Sequence, residues 1–169
     1  MEELWTQVLL LTASTFRLAT PLVLCAMAGL FAERSGVVDI GLEGKMLGAA
    51  FAAAAAAALT GSAWMGLITG IGVSFALAML HGFACITHRG DQVVSGVALN
   101  ITVAGLGPVL ADAWFQQAGR VPVTGDGMRF RSIDLPFAEA LRDVPYLGPL
   151  YADVISGHNL LVYVAALSV

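Results

Sequence analysis

Four long apolar runs set the limits on what this chain can become. A helix needs about 20 mostly apolar residues to cross a bilayer. Residues 4–32, 44–60, 64–87 and 93–115 each supply a run of that order, and a fifth run starts at about 155 and continues to 169. The chain is 58% hydrophobic and 12% charged, with a mean hydropathy of +0.82, against about 45–50% and about 25% in soluble domains. A soluble fold has no interior large enough to hide that much apolar surface. The sequence therefore predicts an all-α integral membrane protein, a polytopic helical bundle forming a single transmembrane domain over 1–169. The net charge of −4 leaves no basic footprint, which argues against nucleic acid as a partner. MEELWTQ lacks the basic n-region of a cleaved signal, so the first run is expected to stay in the protein. Residues 160–169 are too few to span, so the sequence reads as the N-terminal part of a longer protein.

The polar stretch 33–48, ERSGVVDIGLEGKMLG, stands out between the first two runs. It holds the adjacent pair Glu33 and Arg34, the carboxylates Asp39 and Glu43, Lys45, and glycines at 36, 41, 44 and 48. Asp39 and Glu43 are four apart and would share a face in a helix. Gly36, Gly41 and Gly44 point instead to a broken segment whose backbone groups are exposed. Irregular backbone at membrane depth is tolerated only where it lines a cavity or is buried in protein. Glu33 and Arg34 read either as an interfacial ion pair or as gate charges, and Glu43 either as a gate or as the partner of Lys45 or Arg34.

Elsewhere the runs are interrupted in informative ways. Pro21 removes the amide that would bond the carbonyl of Arg17, so a kink is expected beside a charge that faces an interface or an internal cavity. Gly44, Gly48, Ala52 and Ala56 form one small-residue column, and Gly66, Gly70, Ser74, Ala78 and Gly82 form another; this spacing lets helix backbones approach closely in lipid. In the fourth run Gly96, Asn100, Ala104 and Pro108 follow at four-residue steps. An amide in hydrocarbon must find partners, so Asn100 either bonds a neighbouring helix or contributes to a polar cavity. His81 reads as a packed or interfacial side chain, and Cys25 and Cys85 as small buried hydrophobes without metal or disulfide spacing. No nucleophile–base constellation and no metal set is legible. Residues 116–156 form a long loop of nearly cancelling charge broken by four prolines, with residues 137–142 a candidate short helix on the membrane face. Arg34, Lys45 and Arg89 follow the first and third spans, which puts 33–45 and 88–91 on the cytoplasmic side, and the N-terminus and the 116–156 loop outside.

ERSGVVDIGLEGKMLGAAFAA, followed by a small-residue helix and then QVVSGVALNITVAGLG, resembles the permease subunits of bacterial ABC importers for nucleosides and simple sugars, within the wider ribose and branched-chain amino acid permease family. Asp39 and Lys45 depart from the usual form, which has asparagine and an uncharged residue there. The resemblance implies the type II importer fold with interrupted helices and a multi-pass place in the bacterial inner membrane. It also implies a second permease subunit, cytoplasmic ABC ATPases that hold ATP and magnesium, and an extracytoplasmic solute-binding lipoprotein; no cofactor is expected on this chain itself. The block matching 35–44 becomes an interrupted segment beside the pathway, and the span matching 93–107 lines it. The candidate pathway residues are Asp39, Gly41, Glu43, Gly44, Ser95 and Asn100, with Arg17, Glu33 and Arg34 as gate or interface charges. A sugar or nucleoside needs a few hydrogen-bonding groups held too loosely to trap it. Two other classes compete with an ATP-driven permease. One is an ion-coupled secondary transporter with Asp39, Glu43 and Arg17 as a relay; the other is an intramembrane enzyme using Asp39 and Glu43 as acid and base.

Overall fold

The computed structural model describes residues 2–117, 119–123, 125–133 and 156–167. Helix α1 (Glu2–Arg34) runs without a break through Pro21. It stops where the amides of Ser35, Gly36 and Val37 bond back to carbonyls of the last turn and Gly36 takes a φ of +86°. That left-handed turn is one a side chain would resist, and it is how helices commonly end. Residues 35–41 are not helical. Helix α2 (Leu42–Thr60) follows and closes at Gly61, again with positive φ. Helix α3 (Ala63–Gly82) continues into a π-helical turn (Phe83–Thr87). Asp91 then caps helix α4 (Gln92–Phe115) by accepting from the Val94 amide at 2.9 Å.

Helices occupy all four of the long apolar runs. Gln7–Arg34, Leu42–Thr60, Ala63–Thr87 and Gln92–Phe115 are long and apolar enough to cross a membrane. Their outer faces carry large apolar side chains such as Ile68, Ile71, Phe75 and Met79, all strongly exposed. Water would not tolerate that surface; lipid or other helices would.

Two compact units are present. One comprises residues 28–129, with the end of α1, α2, α3 and α4. The other comprises residues 1–27 and 130–169, with the rest of α1, a two-residue antiparallel pair of β1 (Ser132–Ile133) and β2 (His158–Asn159), and α5 (Leu160–Leu167). In that second unit His158 lies between the rings of Phe16 and Tyr163, at 6.5 and 6.4 Å. Helix α5 stands where the fifth run was expected, and the candidate helix at 137–142 lies outside the described residues.

Within the 28–129 unit, small residues bring α2 against both neighbours. A Cβ on Gly66 would sit 2.7 Å from the Ala53 carbonyl oxygen, and one on Gly70 3.1 Å from that of Ala49. The expected column on α2 is split, however. Its α3-facing strip is Ala49, Ala53 and Ala57, whereas Gly44 faces Asn100 and Leu99 of α4 and Gly48 lies between Leu77 of α3 and Val103 of α4. Ala52 and Ala56, placed in the same column from sequence, line an apolar cavity of about 560 Å³ with Phe51, Val73, Leu106 and Trp114. The reason is geometric: each four-residue step turns about 40° around a helix of 3.6 residues per turn, so a column of four cannot keep to one neighbour.

Candidate functional site

The site is built on the non-helical residues 35–41 and the elements that grip them. The N-cap of α2 is Gly41, which has no side chain to satisfy the first-turn amides. Asn100 of α4 supplies the missing group. Its Oδ1 accepts from the Gly44 amide at 2.7 Å, and its Nδ2 donates to the Ile40 carbonyl at 3.0 Å. One amide thereby caps α2 from a different helix and pins the chain that leads into it.

Gly41 and Gly96 make this possible. A Cβ on Gly96 would lie 2.8 Å from the Gly41 amide nitrogen, and one on Gly44 2.8–2.9 Å from the Oδ1 and Cα of Asn100. The Gln92 Oε1 adds a third tie, accepting from the Val38 amide at 2.7 Å. Of the two roles the sequence left open for Asn100, the bond to a neighbouring helix is the one the geometry carries.

A charged cluster lies alongside. Asp39 accepts from the Gly41 amide at 3.1 Å through Oδ1, and its Oδ2 is ion-paired with Lys45 Nζ. The His81 Nε2 lies 3.8 Å from Asp39 Oδ1, and its Nδ1 is 3.1 Å from the Ser95 hydroxyl. The Cys85 sulfur rests 3.7–3.8 Å from both ring nitrogens. Lys45 is 5% exposed, His81 is 2% exposed, and the Asp39 side chain is 10% exposed.

Several sequence expectations change here. Lys45 is not a rim charge facing the cytoplasm, because its ammonium is buried on Asp39. Glu43 is exposed on the first turn of α2 and, among the described residues, pairs with neither Lys45 nor Arg34. Asp39 and Glu43 do not share a face, since Asp39 precedes the helix; an acid–base pair on one pocket is not formed. Glu33 and Arg34 are exposed and do not pair with each other. Consecutive helical residues point about 100° apart. Arg17 is exposed on α1.

Sequence reasoning missed that His81 and Ser95 join Asp39. The i, i+4 spacing of His81 and Cys85 was a visible signal; the approach of Ser95 and Asp39, from two other elements, had none. Ser95, His81 and Asp39 line up as a hydroxyl, an imidazole and a carboxylate, an order familiar from hydrolases. The carboxylate is committed to Lys45, and neither described cavity is lined by these residues. The arrangement is a packed polar network, not an open reaction centre.

Residues 11–169 match the family described as the permease component of the branched-chain amino acid transport system. The chain belongs to that permease family. It is a multi-pass membrane protein. Among similar curated proteins, a guanosine ABC transporter permease protein of Bacillus subtilis is 31% identical over 168 residues, 94% of this chain and 50% of the relative. A nucleoside ABC transporter permease protein of Lactococcus lactis is 28% identical over 164 residues, again 94% and 50%. A Haloferax volcanii protein provisionally named a glucose ABC transporter permease is 38% identical over 105 residues, 62% of this chain and 32% of that one. The chain thus spans from about a third to half the length of the curated relatives it matches. No solved structure matches it.

Proposed function

We propose that this chain forms part of the translocation pathway of an ATP-driven importer for a nucleoside or simple sugar, and performs no chemistry of its own. The family match over 11–169 carries the reading, supported by relatives named as guanosine, nucleoside and glucose permeases. Residues 35–41 support it independently. They are irregular backbone between two membrane-length helices, held by side chains of α4, the setting in which transporters place solute-facing segments. In this reading Glu43, on the exposed face of α2, and the backbone around Gly41 border the pathway, while Gly44, Asn100, Ser95 and Asp39 shape it from behind. Arg17, Glu33 and Arg34 are gate or interface charges. The partners are a second permease subunit, a cytoplasmic ATPase carrying ATP and magnesium, and an extracytoplasmic binding lipoprotein, in a bacterial inner membrane with the N-terminus outside.

A second reading, ion-coupled transport, draws on the buried Asp39, Lys45 and His81, because ionisable groups inside membrane proteins often mark ion paths. Solute uptake into proteoliposomes holding the full-length permease with its ATPase and binding protein separates the two. Uptake is expected only with ATP inside. Uptake that continues without ATP and follows an imposed ion gradient would overturn the importer reading.

A further inference from the structure

The buried cluster ties together four elements through one carboxylate. Asp39 sits in the non-helical segment, Lys45 at the end of the first turn of α2, and His81 on α3, which in turn touches Ser95 of α4. Lys45 and Asp39 are both nine-tenths buried or more, and each is the other's only opposite charge among the described residues apart from the His81 ring. With a neutral imidazole the group carries no net charge. Removing either partner leaves one uncompensated, largely buried charge, which is far more costly than removing both.

We propose that Lys45 and Asp39 act as a single positioning latch: Lys45 neutralises Asp39 in place and thereby keeps residues 35–41 docked on α4 at Gly96. Neither residue touches solute in this scheme; both act through the backbone they hold. The functional half of the inference rests on the reading that residues 35–41 border the pathway. The structural half does not.

The test is a double-mutant cycle in the full-length permease assembled with its partners. Asp39→Asn, Lys45→Met and the double variant are compared in a Cys25→Ala background. Two readouts are taken: solute uptake, and labelling of Cys85 by a membrane-permeant maleimide. Cys85 is buried beneath His81, so its reactivity reports whether the cluster is closed. Each single variant is expected to lower uptake about tenfold and to raise Cys85 labelling, and the double variant to return both to within about threefold of the parent.

A double variant no better than the worse single overturns the latch, and so does a single variant that behaves like the parent. Should a single variant fail to insert, insertion and low labelling of the double still support the latch, and failure of the double as well overturns it. Loss of ATP dependence in the parent would refute the importer reading while leaving the labelling result intact.

Discussion

Asn100 spends its side-chain amide on the backbone around the start of α2. Its carbonyl oxygen and its amide nitrogen are both given to backbone groups that the start of α2 cannot satisfy for itself. Asn100→Leu removes both at once and leaves the Gly44 amide and Ile40 carbonyl without these partners. The expected loss is about 1–3 kcal/mol of stability, read as a lower unfolding midpoint of the purified protein in detergent; a midpoint equal to the parent's would return Asn100 to a role in the pathway. A polar residue mid-span announced that some partner existed, so half of this interaction was legible in the sequence. The identity of the partner was not, because nothing local links residue 100 to residues 40 and 44. Asp39 and Lys45 make the same point more sharply. Each departs from the form usual in the family the sequence resembles, and the structure makes those two departures one ion pair. Helical spacing rules could not have paired them, since Asp39 lies before α2 begins and the 3.6-residue period does not extend to it.

Whole helices were easier to read than their contacts. Hydropathy located α1 to α4 to within a few residues because lipid imposes a length that the sequence must meet. Which small residues make the close approaches depends on helix rotation, which spacing alone does not give. The glycines of α3 allow that distinction to be tested. Gly66 lies against the α2 backbone, where an added Cβ would fall 2.7 Å from the Ala53 carbonyl oxygen, while a Cβ on Gly72 meets nothing within 4 Å. Gly66→Ala must therefore push α3 off α2 and is expected to cost about 1–3 kcal/mol. Gly72→Ala, on an open face of the same helix, should be neutral or gain up to about 1 kcal/mol from its better helix propensity. Thermal unfolding of the two variants side by side checks the ranking; equal midpoints would mean that α2 and α3 are not packed through this strip.

At the scale of the whole bundle, the contacts within the 28–129 unit sharpen the orientation argument. The Val38–Gln92 hydrogen bond brings the turn after α1 beside the start of α4, so Arg34 and Arg89 share one end of the α2–α4 bundle. Gly61 lies at the other end, where Gly127 packs on its carbonyl and neither of those arginines is near. Lys45, counted as a third orienting charge from sequence alone, is neutralised by Asp39 and adds little to the bias. In the orientation proposed above, the bias then rests on Arg34 and Arg89, whose end the positive-inside rule would place in the cytoplasm. In a background with Cys25→Ala and Cys85→Ala, Ser62→Cys is expected to react with a membrane-impermeant maleimide added outside cells, and His88→Cys only after the membrane is opened. Changing Arg34→Glu and Arg89→Glu together removes the two charges that set the bias, so both cysteines should then label partly from each side. Labelling of His88→Cys from outside in the otherwise unchanged chain would invert the topology. It would also move residues 35–41, and the Asp39–Lys45 pair that holds them, to the outer face.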